Sequence, residues 1–167
     1  MANNNDTNDF DLNWHPETLG VRAGGGMTEF GENSEALFLN SSFRFKNAAQ
    51  AAARFGGTES GNIYSRFTNP TVSMFQDRLA ALEGGEACIA TSSGMAAILT
   101  TAMAHLQAGD HVVCSKSVFG ATTQLFSSIL SRFGITTTHV AIADLKAWQA
   151  AVQSNTKLFY LRPRRTP

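Results

Sequence analysis

Ala87-Cys88-Ile89-Ala90-Thr91-Ser92-Ser93-Gly94-Met95-Ala96-Ala97-Ile98 (ACIATSSGMAAI) runs from a short apolar stretch, through two serines and a glycine, into helix-forming sequence. The run over 87–91 predicts a buried strand, and Gly94 to Gln107 predicts a helix closed by Gly109. A strand, a tight turn and a helix in that order make the first unit of an open α/β sheet. Such sheets bind ligands just beyond the carboxyl ends of their strands. Unpaired N–H groups and the positive end of the helix dipole meet at that turn and suit a phosphate. Ser93 adds a hydroxyl, and Gly94 lets an anion come close. A serine-capped helix start with no ligand explains the same residues, and the segment alone leaves both readings open. It is neither a G-x-G-x-x-G dinucleotide fingerprint nor a G-x-S-x-G nucleophile elbow.

Downstream the regular pattern continues. His111 to Ser115 (HVVCS) predicts a strand, Ala121 to Arg132 a helix bounded by Gly134, and Ile135 to Val140 a β-branched strand. Asp144 is placed to cap a helix over Leu145 to Gln153, and Lys157 to Leu161 (KLFYL) predicts another buried strand. Helix and strand alternate four times over short connections, the pattern of a mainly parallel α/β sheet. Upstream, Asn69-Pro70 supplies an N-cap and a first-turn proline. Val72, Phe75, Leu79 and Leu82 then recur at helical spacing until Gly84-Gly85 stops the helix.

Before Asn69 regularity fades. Residues 14–68 carry Gly24-Gly25-Gly26, Gly31, Gly56-Gly57 and Gly61 with aromatics between them, and Phe38, Phe43, Phe45 and Phe55 call for burial without sharing a helical stripe. Only Lys46 to Phe55 (KNAAQAAARF) suggests a short helix. A long irregular segment in a compact protein is usually functional or wraps a partner, and it reads as an arm. Residues 1–13, rich in Asn and Asp, read as a disordered tail.

The whole chain of 167 residues is long enough for one domain that buries about 70 % of its unfolded surface. Thirteen basic and thirteen acidic residues leave a formal net charge of zero, which gives no support for a nucleic-acid surface. His15, His105, His111 and His139 are scattered and show no metal-ligand spacing. Cys88 and Cys114 each sit in an apolar run and read as buried free thiols on strands. The polar N-terminus shows no signal peptide, and no segment approaches the length of a membrane span, so a cytoplasmic location with no membrane partner is expected.

Two further segments carry possible chemistry. In Gly61-Asn62-Ile63-Tyr64-Ser65-Arg66-Phe67-Thr68-Asn69-Pro70, Arg66 can grip a phosphate with two N–H groups and Tyr64 can donate a hydrogen bond. Taken alone, an Arg two residues from a Tyr is commonplace, and the ordinary surface-loop reading wins. Ser117-Val118-Phe119-Gly120 follows the HVVCS strand and places Phe119 at the next carboxyl end along the sheet. An aromatic there can stack on a flat ring, although by periodicity alone it is more often core.

Together these segments resemble the Cys/Met-metabolism group of pyridoxal-phosphate enzymes: cystathionine synthases and lyases and the homoserine-ester sulfhydrylases. The resemblance runs from about Glu17 to Leu161. It is carried by GNIYSRFTNPTVSMFQDRLAALEGGEACIATSSGMAAI over 61–98 and GDHVVCSKSVFGAT over 109–122. ETLGVRAGG over 17–25 puts the wording nearest the O-succinylhomoserine sulfhydrylase branch.

The resemblance implies a pyridoxal 5′-phosphate cofactor and an aspartate-aminotransferase-like large domain, of which this chain would be the N-terminal, truncated part. It implies γ-replacement on an activated homoserine ester, an amino-acid-sized substrate, in methionine biosynthesis. It also implies a homo-oligomer, dimer or tetramer, in which Tyr64 and Arg66 reach the phosphate of the neighbouring subunit's cofactor. Ser93, Gly94 and Met95 would hold the phosphate within the subunit, and Phe119 would stack on the pyridine ring. Many family members carry Tyr at that last position, so any acid–base role of the hydroxyl is lost here. On the same grounds residues 14–68 form an interface arm and 69–161 a partial cofactor-binding domain.

The family pattern further requires an Asp for the pyridine nitrogen and a Schiff-base Lys, both beyond the strand that matches KLFYL. Lys46, Lys116, Lys146 and Lys157 do not match that lysine, so no catalytic residue is assigned. The family continues typically with Glu-Thr-Pro-Ser-Asn-Pro, whereas this chain continues Arg162-Pro163-Arg164-Arg165-Thr166-Pro167. Deleting the first base of GAG ACC CCG TCG AAC CCC, a spelling chosen to fit, yields codons for the six residues present. The expectation is an aberrant tail over 162–167 and a chain that by itself is poorly soluble and inactive.

Overall fold

In the computed structural model, which describes residues 13–26 and 28–162, Asn69 starts the longest helix. Its Oδ1 accepts the N–H of Thr71 at 2.9 Å, Pro70 occupies the first turn, and α3 (Pro70–Glu83) ends at Gly84 in the left-handed region at φ +64°. Cap, proline and glycine act where the sequence places them. The helix stripe behaves differently, since Val72, Phe75 and Leu82 stay exposed.

The chain divides into two compact units, Met1–Ala90 and Thr91–Pro167. The first contains α1 (Pro16–Arg22), α2 (Ala48–Phe55) and α3. The helix α1 lies in sequence read as irregular. It buries Leu19 and packs on α3, and Arg78 of α3 donates to the carbonyl of Ala23 at 2.8 Å and pairs with Glu35. Gly24 is needed at this approach. A Cβ there would lie 2.6 Å from the Met74 carbonyl oxygen, and its φ is +70°. Phe38, Phe43 and Phe45 are half-buried, but Phe55 is exposed, against the expected burial. Its ring makes a tilted contact with that of Phe45, 6.0 Å between centroids.

The second unit contains α4 (Gly94–His105), β1 (His111–Ser115), α5 (Gly120–Gln124), β2 (Thr136–Val140), α6 (Leu145–Ala150) and β3 (Thr156–Tyr160). The sheet is parallel throughout, in the order β2-β1-β3. Central β1 is buried at all five positions. Val112 and Cys114 face a core built with Ala102, Leu106, Leu125, Phe126, Leu130 and Ile135. The fold class read from the sequence, a mainly parallel α/β sheet, is the one found.

Two expectations are corrected. Residues 87–91 form no strand: the Ala90 N–H donates to the side-chain oxygen of Gln76 at 2.8 Å instead of to a neighbouring strand, and Ile89 is exposed. An apolar run becomes a strand only where a ladder is there to take its N–H groups. Cys88 is accordingly half-buried in irregular backbone, while Cys114 is buried on β1. The single helix expected over 121–132 is α5 followed by a π-turn, Leu125–Ile129, and a 3₁₀ turn, Leu130–Phe133. Leu125 and Leu130, five residues apart, are both buried, and a wider turn puts that spacing on one face. The tail expected over 1–13 falls outside the described residues up to Leu12, as do residues 163–167.

Candidate cofactor site

Ser93 caps α4. Its Oγ accepts the N–H of Ala96 at 3.2 Å, and its own carbonyl accepts the Thr91 hydroxyl at 2.9 Å. The backbone turns from extended at Ser93 (φ −165°) into the helix at Gly94, so the first N–H groups of α4 face outward from an exposed turn. A Cβ on Gly94 would meet nothing within 4 Å, which leaves the approach to those N–H groups open. Met95 turns its side chain inward instead. Its sulfur lies 3.7 Å from the Thr122 hydroxyl and it packs on the core, so only its backbone is available at the turn.

Phe119 follows β1 by four residues and starts α5. The expectation that an aromatic here could be core does not hold: the ring is 66 % exposed. It lines an open cavity of about 390 Å³ together with Gly94, Ile98, Thr122, Tyr160 and Arg162. This cavity lies at the carboxyl ends of β1 and β3, where an open parallel sheet binds its ligands. Its walls offer an apolar floor, an aromatic face and a helix start, a combination that suits a flat ring bearing a phosphate.

Sequence reasoning missed four of these wall residues, Ile98, Thr122, Tyr160 and Arg162. Tyr160 and Arg162 were hidden because only the observed pairing of β3 beside β1 brings the end of KLFYL to this cavity. Thr122 ends the 109–122 stretch that carries the resemblance, but nothing in that stretch singled it out. Burial pushes the Tyr160 phenol up from its usual range, while neighbouring Arg162 pulls it the other way. The Tyr160 ring sits 5.0 Å from Phe126.

Tyr64 and Arg66 belong to the first unit. Tyr64 bridges Ser42 in an isolated antiparallel pair, and its carbonyl accepts the N–H groups of Phe67 at 2.8 Å and Thr68 at 3.1 Å. This tight turn is pinned on the far side by Asn69, whose amide donates to the Phe38 carbonyl at 3.0 Å and to the Ser65 hydroxyl at 2.9 Å. The Arg66 guanidinium lies 4.7 Å from the Phe67 ring centroid and 5.7 Å from that of Tyr64. Among the described residues it makes no ion pair. The structure thus groups Tyr64 with Arg66 on one exposed turn, and Ser93, Gly94, Met95 and Phe119 in the other unit. No set of three or more His, Cys, Asp or Glu side chains among the described residues could hold a metal, and none of their helices is long and apolar enough to cross a membrane.

The family profile for Cys/Met metabolism PLP-dependent enzymes matches residues 17–166. The chain is 52 % identical over 151 residues to an O-succinylhomoserine sulfhydrylase of Pseudomonas aeruginosa, covering 90 % of this chain and 38 % of that protein. It is 40 % identical over 150 residues to an L-methionine gamma-lyase of Fusobacterium nucleatum subsp. polymorphum, again covering 90 % of this chain and 38 % of that one. Among solved structures, a Campylobacter jejuni chain carrying N′-pyridoxyl-lysine-5′-monophosphate superposes with TM-score 0.82 at 36 % identity, over 89 % of this chain and 37 % of that chain. The chain therefore spans under two fifths of the length of these relatives, and it belongs to the Cys/Met-metabolism PLP-dependent enzyme family.

Proposed function

We propose that, in this member of the Cys/Met-metabolism family, the cavity beside Phe119 is part of a pyridoxal 5′-phosphate site. We further propose that the whole protein is an O-succinylhomoserine sulfhydrylase, replacing the succinyl group with a sulfur nucleophile in methionine biosynthesis. The observation that carries the first half is the exposed face of Phe119 beside the open start of α4. The second half rests on the 52 % identity to the Pseudomonas sulfhydrylase.

The residues present fit the cofactor's phosphate and ring. The Ser93 hydroxyl and the backbone N–H groups of Gly94 and Met95 hold the phosphate, the Ser93 cap fixing their direction. Phe119 stacks on the ring and, lacking a hydroxyl, moves no proton. When bound, the cofactor supplies an electron sink. Tyr64 and Arg66, on a turn braced by Asn69, add phosphate contacts from a neighbouring subunit of a homo-oligomer. The apolar surface of the first unit supports that arrangement, with Phe30, Leu37, Leu39 and Phe67 all exposed. The Asp and Lys that the family pattern requires match no residue of this chain, so by itself the chain is proposed to be inactive, and the whole protein is proposed to be cytoplasmic.

The test is made on the whole protein supplied with O-succinylhomoserine and sulfide. Sulfide-dependent release of succinate with formation of homocysteine is expected. Release of a keto acid from methionine with no sulfur nucleophile would move the assignment to the runner-up, a γ-lyase, which the 40 % identity to the Fusobacterium enzyme favours. Absence of both activities would reduce the assignment to a phosphate-binding role.

A further inference from the structure

Arg162 lies over the ring of Phe119, its guanidinium carbon 4.7 Å from the ring centroid. It also lines the cavity that this ring opens into. Arg162 is exposed and has no ion-pair partner among the described residues, so none of their carboxylates holds it there. The contact that places it is with the aromatic face itself. A guanidinium is planar, weakly hydrated and well suited to stacking on an aromatic ring. It therefore competes for the same surface as a flat heteroaromatic ligand.

We propose that Arg162 is an intramolecular plug: it occupies the face of Phe119 and must swing away before a flat ring can stack there. The inference rests on the reading of Phe119 as the ring-stacking residue. It adds that this chain masks that residue with its own side chain. The strength of the plug follows from its exposure, because an exposed cation–π contact is worth a two- to fivefold factor in an equilibrium. Ring binding is weakened by that factor and no more. A phosphate alone, which needs the α4 start and not the ring, is untouched by the plug.

The test compares the full chain with its Arg162→Ala variant by calorimetric titration. The probe is pyridoxine 5′-phosphate, which has an alcohol where the cofactor has an aldehyde and so does not react with lysines. Inorganic phosphate is the second probe. Because Arg162 is exposed, the variant is expected to keep the urea midpoint of the parent chain. The plug requires pyridoxine 5′-phosphate to bind the variant two- to fivefold more tightly, with no gain for inorganic phosphate. Equal or weaker binding of pyridoxine 5′-phosphate to the variant overturns the plug and leaves the ring site standing. Equal tightening of both probes also overturns it, because the effect would not be on the ring. No binding of pyridoxine 5′-phosphate to either chain overturns the plug and the ring-site reading together.

Discussion

At Phe119 a single side chain decides between scaffold and site. An apolar ring left 66 % exposed at the carboxyl edge of a parallel sheet gives up its burial energy for access. Cys114 shows the opposite case. Burial at the centre of β1 pushes its thiol up to about 11, so it stays protonated at neutral pH, and the thiolate is the reactive form. Cys88 is half-buried outside any strand. Titration of the folded chain with Ellman's reagent at pH 8 is expected to modify one thiol readily, at Cys88, and the second only after urea is added. Rapid reaction of two thiols without denaturant would contradict the burial of Cys114.

His111 gives a pH prediction at the same scale. It is fully buried on β1, and its ring nitrogens bond Thr156 on β3 at 2.8 Å and Thr138 on β2 at 2.9 Å. Burial lowers its pKa below the ordinary 6.5. In the unfolded chain the imidazole takes up a proton near 6.5, and in the folded chain only at lower pH. Its contribution is therefore present above about pH 6.5 and is lost as pH falls toward the folded value. Urea midpoints measured from pH 7.5 to 5.5, a window above the carboxylates, are expected to fall for the parent chain and to fall less for His111→Gln. Identical slopes would remove His111 as the cause.

Elements were legible where local chemistry decides them. The capped helices α3 and α4 announce themselves through Asn69-Pro70 and Ser93-Gly94, and the parallel strands β1, β2 and β3 through β-branched and apolar runs. What failed required partners that local sequence does not specify. ACIAT has strand composition but no ladder, and α1 forms in glycine-rich sequence because Leu19 and Arg78 give it a surface to lie on. The π-turn over Leu125–Ile129 is set by the sheet beneath it. Phe126, 1 % exposed, belongs to the core that covers Val112 and Cys114 of β1, and its ring packs against that of Tyr160 on β3. Phe126→Ala is expected to cost about 3–5 kcal/mol, read as a lower urea midpoint at unchanged slope. A loss under 1 kcal/mol would mean that the π-turn does not organise the core.

For the molecule as a whole, the two units differ in how they treat their apolar residues. The second buries a contiguous core around β1, whereas the first buries few side chains and exposes Phe30, Leu39, Phe55, Phe67 and Phe75. The candidate site was legible in part for the same reason. Ser93, Gly94 and Phe119 belong to short motifs that sequence displays, while Tyr160 and Arg162 join them only through the β2-β1-β3 order. The proposed cofactor contacts at Ser93, Gly94, Met95 and Phe119 are the centre of this picture. The most direct measurement is a titration of the isotope-labelled chain with pyridoxine 5′-phosphate, followed by amide and aromatic NMR. Saturable shifts concentrated at the Ser93, Gly94 and Met95 amides and the Phe119 ring are the expected result. Shifts confined to other residues, or none at millimolar ligand, would contradict the site.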